Sequence, residues 1–483
     1  MRRPRGVLLP PVPSARPRRG DLYRTLRAAL LDGTLASGDQ LPSTRQAAAD
    51  YGVSRGTLEE VFAQLTEEGF LQRAVGRGTF VASTVSRLSR PASGEPRRRP
   101  APSRRGRRIA ANAACREPAV PRPFNAGTAD TGEFPWKTWQ RLQTLAAREL
   151  GHRALNFTDP RGLPDLRAAI ARYLAQFRGI RCDRRQVIVF NSAQQALQAL
   201  AVLLLDSSEA VWVEDPCYLG ARAAFELAGA KMIPVAVDDE GLRVDVGVRR
   251  APRARLAYVT PSHQYPAGAV MSLERRVALL EWAARNASWV IEDDYDGEFR
   301  YEGQPLTALY SLDTRARVLY VGTLNKSMFV SLRLAYAVVP GELVEPLANI
   351  RTQLDGFTPA MRQMATALFL DEGHFSSHLR RMRAVYGAKR ALLVQGLAPL
   401  AALGWTWPAS AAGMHLLLRH ARGGYVRDVA AASPLDLALL SSYRVARPAG
   451  DGLFLRFGAL DTASLREGTA SLVATARRLQ PRS

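Results

Sequence analysis

Residues 318–333 read Val-Leu-Tyr-Val-Gly-Thr-Leu-Asn-Lys-Ser-Met-Phe-Val-Ser-Leu-Arg. The first four, from Val318 to Val321, are β-branched, aliphatic or aromatic, which is typical of a strand buried in a parallel sheet. Lys326 follows this strand by five residues, and Arg333 comes seven residues later. The pattern predicts that the strand places an amine at the carboxyl edge of a sheet. A lone lysine after a strand is more often an ordinary surface residue.

Four further apolar segments of strand length lie in the same part of the chain, at residues 186–190, 210–213, 256–259 and 289–291. Between them are helical patterns with apolar residues three and four positions apart, at residues 193–205 and 273–286. Alternation of strands and helices is the rhythm of βαβ units. It predicts an α/β domain with a doubly wound sheet of parallel, buried strands.

A cluster of acidic residues follows one of these strands. Residues 289–296 read Trp-Val-Ile-Glu-Asp-Asp-Tyr-Asp, with four carboxylates in five positions. Negative charge concentrated at a sheet edge is costly without a cation, so the residues indicate either a metal ion or the protonated ring of a ligand. A solvated acidic loop is the alternative.

The start of the chain has a different pattern. Short helices are predicted at residues 22–31, 43–50 and 55–68, and two strands at residues 70–73 and 78–81. Ser43 and Ser54 are suitable N-caps, and a glycine-containing turn joins the second helix to the third. The pattern predicts a helix-turn-helix followed by a β-hairpin wing. A helical hairpin used for protein contacts is the alternative.

If the segment reads DNA, the amino end of the third helix is the part that reaches base edges. The candidate DNA-binding residues are Arg45, Ser54, Arg55, Thr57 and Arg77. The composition agrees with a polyanionic partner, because 66 basic residues stand against 44 acidic ones and give a net charge of +22. Only four of the basic residues are lysines, so part of the excess can reflect codon bias.

Composition and charge divide the 483 residues into four segments. We expect a mostly extended basic tail at 1–20, a DNA-binding domain at 21–83, a linker at 84–122 and a large domain at 123–483, with a small subdomain after about residue 375. The linker holds eleven arginines, which repel one another, and six prolines, which resist helix formation.

Several classes of protein are excluded. Three cysteines with no ligand-like spacing support neither a disulfide framework nor a zinc site, and no metal is expected. The longest apolar run, at residues 199–205, is far shorter than the roughly 20 residues of a membrane span. We therefore expect a soluble, cytoplasmic protein.

Motifs in the first domain carry a resemblance. Leu41-Pro-Ser-Thr-Arg45, Gly52-Val-Ser-Arg-Gly-Thr57, Glu68-Gly-Phe-Leu71 and Gly76-Arg-Gly-Thr-Phe-Val81 occur in this order. The segment resembles the winged helix of GntR-type transcription regulators. The resemblance implies that it binds operator DNA.

The large domain resembles the fold type I aminotransferases. The motifs are Glu214-Asp-Pro-Cys-Tyr218, Thr260-Pro-Ser-His-Gln-Tyr-Pro-Ala-Gly268, Glu292-Asp-Asp-Tyr-Asp296 and Gly322-Thr-Leu-Asn-Lys326 through Arg333. An aminotransferase-like domain behind a winged helix resembles the MocR/GabR-type branch of the GntR regulators. The expected fold is an N-terminal winged helix-turn-helix plus a C-terminal α/β, fold type I, pyridoxal 5′-phosphate-dependent aminotransferase-like domain.

The resemblance also implies roles for individual residues. Lys326 would bond the cofactor's aldehyde, and Asp293 would pair with the pyridine nitrogen. Asp293 is chosen over Asp294 because the family places the carboxylate two residues before a tyrosine. That tyrosine, Tyr295, would bind the ring hydroxyl, and Tyr218 would stack on the ring.

At the phosphate end, Arg333 would bind the anion together with the backbone N–H groups of Ala193 and Gln194 at a predicted helix start. Arg456 is the candidate for holding the carboxylate of an amino acid. Several residues depart from the family pattern, and two of them adjoin the predicted cofactor-binding residues. Asn325 replaces the usual serine before the lysine and is counted with the cofactor-binding residues, and Ser192 replaces a glycine that keeps the phosphate turn uncrowded.

The sequence thus predicts a homodimeric transcription regulator that senses pyridoxal phosphate, or an amine or amino acid that reacts with it, and that binds double-stranded operator DNA. An active aminotransferase with an accessory DNA-binding domain is the alternative, because both functions need the same lysine. A DNA-binding protein with an empty aminotransferase scaffold is a further alternative, favoured by Asn325 and Ser192.

Overall fold

The computed structural model describes residues 7–14, 16–87, 101–111, 122–125, 127–302, 306–408, 412–446 and 451–480. The chain forms two compact units, residues 1–101 and 102–483. The division falls inside the segment predicted to be a linker. Within the described part of the chain, every helix is too short or too polar to serve as a membrane span.

The first unit is a winged helix. Its elements are α1 (Arg19–Asp32), α2 (Thr44–Tyr51), α3 (Arg55–Glu67), β1 (Leu71–Ala74) and β2 (Gly78–Val81). Apolar side chains spaced three and four apart on α1 and α3, such as Leu22, Leu26, Leu58 and Phe62, are fully buried against one another. β1 and β2 pair antiparallel and form the predicted wing.

Both predicted serine caps are correct. The Ser43 hydroxyl accepts a hydrogen bond from the Gln46 N–H at 3.2 Å, and the Ser54 hydroxyl accepts one from the Thr57 N–H at 3.1 Å. Gly52 ends α2 with a φ of 63°, a left-handed conformation that glycine adopts without steric cost. These local signals place the start of α3.

The described part of the N-terminal tail, which was predicted to be mostly extended, packs on the first unit. Val7, Leu9 and Val12 pack against the core of the winged helix, and the Tyr51 hydroxyl donates to the Pro10 carbonyl at 2.9 Å. A few apolar residues among prolines are enough to cover one edge of a small core. Residues 1–6 lie outside the described residues.

The prediction that the linker resists helix formation is wrong at one place. Helix α4 (Arg104–Ala110) begins where the Ser103 hydroxyl accepts a hydrogen bond from the Gly106 N–H at 2.9 Å. Arg107 and Arg108 lie in its last turn, where cations are favourable to the helix dipole. Residues 88–100 and 112–121 lie outside the described residues.

An eight-stranded sheet forms the centre of the second unit. Its strands are β3 (Val187–Phe190), β4 (Ala210–Asp215), β5 (Lys231–Asp238), β6 (Gly241–Leu242), β7 (Leu256–Val259), β8 (Trp289–Asp294), β9 (Val318–Thr323) and β10 (Ala335–Val338). They lie in the order β3-β10-β9-β8-β7-β4-β5-β6, and the five from β9 to β5 are parallel.

All five predicted strands form, but the parallel pairing is wrong for β3. The described neighbour of β3 is β10, which is antiparallel to both β3 and β9. β10 was not predicted from the sequence. The loop between β9 and β10 reverses the chain direction, so β10 runs antiparallel to β9.

Helices cover both faces of this sheet. They are α5 (Trp136–Leu150), α6 (Pro164–Phe177), α7 (Ala193–Leu204), α8 (Leu219–Ala228), α9 (Val244–Arg250), α10 (Leu273–Asn286), α11 (Leu309–Leu312), α12 (Gly341–Asp355) and α13 (Ala360–Asp371). Alternate strand residues serve opposite faces: Val211 and Val213 pack on the side of α7 and α8, and Trp212 packs on the side of α10.

The C-terminal part of the second unit contains a smaller sheet. Its elements are α14 (His374–Leu397), β11 (His415–His420), α15 (Gly423–Ala432), β12 (Ala438–Leu439), β13 (Asp451–Arg456) and α16 (Thr462–Arg478). The three strands pair antiparallel in the order β11-β13-β12. They occupy the segment for which a small subdomain is expected.

Candidate functional site

A cavity of about 800 Å³ lies at the carboxyl ends of β8 and β9. Open α/β sheets bind ligands at this edge. All nine residues that the sequence analysis assigned to a cofactor or effector line the cavity, namely Ala193, Gln194, Tyr218, Asp293, Tyr295, Asn325, Lys326, Arg333 and Arg456. The structure therefore brings together residues that are up to 263 positions apart in the sequence.

Lys326 lies on the loop between β9 and β10, and its Nζ donates to the Gly127 carbonyl. The loop is braced on either side of the lysine. The Asn325 side-chain oxygen accepts a hydrogen bond from the Leu334 N–H at 3.0 Å, and the His378 Nε2 donates to the Ser327 carbonyl at 3.0 Å. Asn325 thus fixes the loop, a role that the sequence analysis did not foresee.

Asp293 is the acidic residue of β8 that lines the cavity. Its Oδ2 accepts a hydrogen bond from the Tyr258 hydroxyl at 2.7 Å, whereas its buried Oδ1 has no partner among the described residues. Burial raises the pKa of Asp293 to about 7, and the nearby Asp294 and Asp296 act in the same direction. A cationic ring N–H would satisfy Oδ1 and lower the cost of the charge.

The neighbouring carboxylates have other partners. Asp294 binds Arg178 at 2.5 Å and accepts a hydrogen bond from Tyr320 at 2.6 Å. Glu292 accepts hydrogen bonds from the N–H groups of Leu309 and Tyr310. All four carboxylates are at least nine-tenths buried, so the alternative of a solvated acidic loop is wrong.

Tyr295 adjoins a buried polar cluster. Its hydroxyl donates to the His263 carbonyl at 2.9 Å, and His263 Nδ1 lies 3.0 Å from Asp296 Oδ2. His415 completes the cluster, with ligand atoms of the three residues within 4.8 Å of one another. The pKa of His415 lies well below its ordinary value, because burial and the positive charges nearby disfavour the imidazolium. The sequence analysis missed this cluster, although His263 lies within a quoted motif.

The phosphate end of the predicted site is formed by α7 and Arg333. Ala193 and Gln194 are the first residues of α7, and the Ser192 hydroxyl accepts a hydrogen bond from the Gln195 N–H at 3.1 Å. Ser192 has a φ of −166°, an extended conformation open to any residue, so the expected crowding has no backbone cause. Arg333 is exposed, and no described residue accepts a hydrogen bond from its guanidinium.

Tyr218 is the N-cap residue of α8 and lies 5.5 Å, ring centre to ring centre, from Tyr265. The first turn of α8 packs directly on α7, since the Gln194 side chain donates to the Gly220 carbonyl at 2.8 Å. A Cβ at residue 220 would lie 2.2 Å from the Gln194 side-chain oxygen and 2.5 Å from the Tyr218 ring. A larger residue at this position would therefore force the side chain of Gln194 and the Tyr218 ring to move.

Arg456 ends β13 on the opposite side of the cavity. Its guanidinium donates to the Asn125 carbonyl at 2.7 Å and to the hydroxyl oxygens of Tyr443 at 2.8 Å and Tyr265 at 3.4 Å. Asn125, Tyr265 and Tyr443 were not predicted as site residues. Tyr265 lies within a quoted motif, whereas no local pattern marks Asn125 or Tyr443.

In the first unit, the predicted DNA-binding residues Ser54, Arg55 and Thr57 lie at the amino end of α3, whereas Arg45 lies on α2 and Arg77 in the turn between β1 and β2. Arg45, Arg55 and Arg77 are exposed, and none of them forms an ion pair with a described carboxylate. The hydroxyls of Ser54 and Thr57 lie 2.8 Å apart in the N-cap. The unit thus presents unneutralised guanidinium groups beside a helix amino terminus, which favours contact with phosphate.

Two family models match the chain. One is described as "Aminotransferase class I and II" and matches residues 125–468, and the other, "Bacterial regulatory proteins, gntR family", matches residues 18–81. Among solved structures, the chain is similar to LysN, an α-aminoadipate aminotransferase from Thermus thermophilus. The TM-score is 0.67 and the identity is 27%, over 74% of this chain and 92% of that one.

Curated relatives share both parts. The chain is 36% identical to the probable rhizopine catabolism regulatory protein MocR of Rhizobium meliloti, over 94% of this chain and 93% of the relative. It is 30% identical to the pyridoxine biosynthesis regulator PdxR of Corynebacterium glutamicum, over 92% and 93%. The chain therefore belongs to the MocR-type transcription regulators of the gntR family, in which a winged helix is joined to a class I and II aminotransferase domain.

Proposed function

We propose that the cavity holds pyridoxal phosphate and that the protein regulates transcription in response to the cofactor, or to an amine or amino acid that reacts with it. The main support is that all nine residues to which the family resemblance gives a cofactor or effector role line one cavity. The regulators named among the relatives support the same function. We expect a regulator that binds operator DNA to act in the cytoplasm.

The cofactor, when bound, supplies an aldehyde that bonds amines and a ring that withdraws electrons. Lys326 provides the amine at the cavity wall. Asp293 holds a negative charge at the unpartnered Oδ1, where a ring nitrogen would keep its proton. Tyr295 provides a hydroxyl for the ring oxygen and Tyr218 a flat face. Burial of these groups excludes water and strengthens each electrostatic contact.

The phosphate is assigned to the amino end of α7 and to Arg333. Backbone N–H groups in the first turn of a helix lack partners within the helix and favour anions. Arg333 adds a guanidinium that no described residue engages. The resulting site has donors from Ala193 and Gln194 on one side and a full positive charge on the other.

Arg456 is assigned to the carboxylate of an effector. A guanidinium binds a carboxylate through two parallel hydrogen bonds, and the Tyr443 and Asn125 contacts hold that of Arg456 in place. The effector class that follows carries an amine to react at the Lys326 end and a carboxylate to bind at the Arg456 end.

The winged helix is assigned to operator DNA through Arg45, Ser54, Arg55, Thr57 and Arg77. A homodimer would present two such units to two half-sites, whose spacing follows from the dimer geometry. A ligand changes DNA affinity only if it binds the two states of the dimer differently.

The test is the visible absorbance of the purified full-length protein titrated with pyridoxal phosphate. Wild type and the Lys137→Ala control, which removes an exposed lysine, are expected to develop the same saturable band. Lys326→Ala is expected to develop none. Identical spectra for wild type and Lys326→Ala would overturn the proposal and favour the empty scaffold.

The aminotransferase alternative is tested by turnover. The chain is also 32% identical to a 2-aminoadipate transaminase of Thermus thermophilus over 57% of its length. Amino donors and a keto acid are added to the cofactor-loaded protein. The regulator predicts at most a few turnovers, and sustained turnover at the rates of metabolic enzymes would contradict it.

A further inference from the structure

Helix α4, a segment of the predicted linker, lies on the carboxyl end of α8. The Arg108 Nε lies 2.8 Å from Glu226 Oε1, and the Arg105 guanidinium donates to the Leu227 carbonyl. Both contacts lie within the second unit. They join a basic segment to a helix that helps to build the cavity.

The carboxyl end of α8 is chemically suited to a basic partner. The last carbonyls of a helix lack partners within it and carry partial negative charge. Leu227 supplies such a carbonyl, and Glu226 adds a full negative charge with its side chain 19% exposed. Gly229 ends the helix with a φ of 80° and leaves these groups accessible.

Helix α4 is too short to be stable in isolation. It has seven residues, none of them buried, and isolated helices shorter than about 12 residues are marginal in water. Its helical state therefore depends on the Ser103 cap and on the contacts with α8. A segment held by so few exposed contacts is held reversibly.

The amino end of α8 reaches the cavity. Tyr218 and Leu219 line it, and Gly220 packs on Gln194. A helix of ten residues is about 15 Å long, so α8 extends from the cavity to the docked segment. If α8 moves as a rigid unit, a shift of its backbone at Tyr218 would also shift Glu226 at the other end.

The first residues after the linker also contact cavity residues. The Arg456 N–H donates to the Phe124 carbonyl at 3.2 Å, and its guanidinium donates to the Asn125 carbonyl at 2.7 Å. Lys326 donates to the Gly127 carbonyl. Lys326, assigned to the cofactor, and Arg456, assigned to the effector, therefore both contact the first residues of the large domain.

We propose that residues 104–110 dock reversibly on the carboxyl end of α8, and that the occupant of the cavity sets how firmly they dock. Docking leaves 16 residues, 88–103, between the last described residue of the winged helix and the anchor, out of 39 in the predicted linker. Binding of a ligand in the cavity would then control how many linker residues separate the DNA-binding unit from its point of attachment to the second unit. The coupling, unlike the docking, rests on the proposed function.

Docking is tested by hydrogen–deuterium exchange of residues 104–111 in the full-length protein. Glu226→Gln removes the charge and keeps the shape, and it is expected to speed exchange about two- to fivefold. Glu281→Gln is the matched control, because Glu281 also pairs with an arginine on an exposed helix surface, and it is expected to leave residues 104–111 unchanged.

Two results would overturn the docking. One is equal exchange in wild type and Glu226→Gln, and the other is exchange of residues 104–111 in wild type at the rate of an unfolded peptide. A charge reversal provides an independent check. Glu226→Arg alone is expected to speed exchange, and Glu226→Arg with Arg108→Glu is expected to restore the wild-type rate.

The coupling is tested by repeating the exchange with pyridoxal phosphate. Exchange of residues 104–111 is expected to change in wild type and to stay constant in Lys326→Ala. If the absorbance band forms and exchange does not respond, the coupling is wrong. If no band forms, the proposed function fails, and the docking is still judged by Glu226→Gln.

Cross-linking Arg108→Cys to Glu226→Cys in one chain shows whether residues 104–110 dock on α8 of the same chain. A product at the mass of a single chain supports docking of the chain's own linker. A product at twice that mass would show that the linker of a second copy docks on the carboxyl end of α8, and it would overturn the proposal as stated.

Discussion

Asp293 lines the cavity, and its Oδ1 has no described partner. Asp294 and Asp296 also have a buried Oδ1 without a described partner, but neither of them lines the cavity. Glu214 and Glu292 are hydrogen-bonded through both oxygens. A charge can reside on Asp293 at low cost only when a cation enters the cavity. This single residue therefore links the occupancy of the cavity to the stability of the domain.

We predict that the cofactor-free protein loses stability as pH rises from about 4 to about 7. Burial raises the pKa of Asp293 to about 7 from an ordinary value of 3.8, so in this range the folded state binds a proton that the unfolded state has lost. Glu214 and Glu292 act in the same direction. Thermal unfolding at pH 5.5 and pH 8 measures the effect.

Asp293→Asn is expected to reduce this pH dependence, because it removes one of the raised carboxyls. The control is Asp245→Asn, where an exposed carboxyl beside Arg243 is lost. A pH dependence that is the same in Asp293→Asn and wild type would show that Asp293 does not titrate in the folded protein. The same variant is expected to bind pyridoxal phosphate more weakly in the absorbance titration.

Gly220→Ala is expected to weaken cofactor binding by about tenfold or more, because the new methyl group collides with Gln194 and with the Tyr218 ring. Gly424→Ala is the control, since residue 424 has open space around it. Absorbance titration measures the affinity of both variants. Equal affinity for Gly220→Ala and wild type would mean that the α7 and α8 turns can separate freely.

The site residues that could be predicted from the sequence are those that lie within recognisable motifs. Lys326, Asp293, Tyr295 and Arg333 follow strands at spacings that a sequence displays directly, and the structure places them on one cavity. Tyr265 was visible only as part of a motif. Asn125 and Tyr443 reach the site through tertiary folding of distant segments, and no periodicity in their own neighbourhoods indicates this.

At the scale of elements, the amino end of α3 combines a cap with exposed cations. Ser54→Ala is expected to destabilise the winged helix by about 1 kcal/mol through loss of the cap. Ser54→Asp preserves a cap and adds a negative charge where phosphate is expected. Thermal unfolding therefore separates the two variants, and DNA binding is expected to be weaker in both.

The measurements are circular dichroism of the full-length protein and titration of a labelled duplex. Ser83→Ala is a suitable control, since Ser83 is exposed outside α3. If Ser54→Asp binds duplex as tightly as wild type, then the amino end of α3 does not face phosphate, and the assignment of Ser54, Arg55 and Thr57 is wrong.

Local signals also explain which elements could be predicted. The serine caps and glycine turns fix α2 and α3 from residues that are close in sequence. β10 was missed because its direction depends on the loop braced by Asn325 and not on its own composition. Helix α4 was not predicted because it contacts α8, which is more than 100 residues away in the sequence.

At the scale of the whole molecule, positive charge is concentrated ahead of the aminotransferase domain. Residues 1–122 carry +13 of the net +22. Charge of this kind strengthens binding to any duplex and makes it depend on salt, whereas contacts with base edges give specificity. The two contributions can therefore be separated by mutation.

Arg55→Ala is expected to weaken operator binding by about 1–3 kcal/mol and random-duplex binding much less. Replacement of the linker arginines at positions 97–99 by alanine is expected to weaken both and to flatten the dependence on salt. The operator is first located by footprinting upstream of the protein's own gene. Equal losses for Arg55→Ala on both duplexes would mean that Arg55 contacts only phosphates.

The scarcity of lysine gives Lys326 a practical distinction. Arg317 and Arg333 bound a tryptic peptide in which Lys326 is the only internal cleavage site. A group fixed to that amine by borohydride would block the cut, so residues 318–333 would be released whole and with added mass. Mass spectrometry of one digest would thus show which amine in the chain had captured an aldehyde.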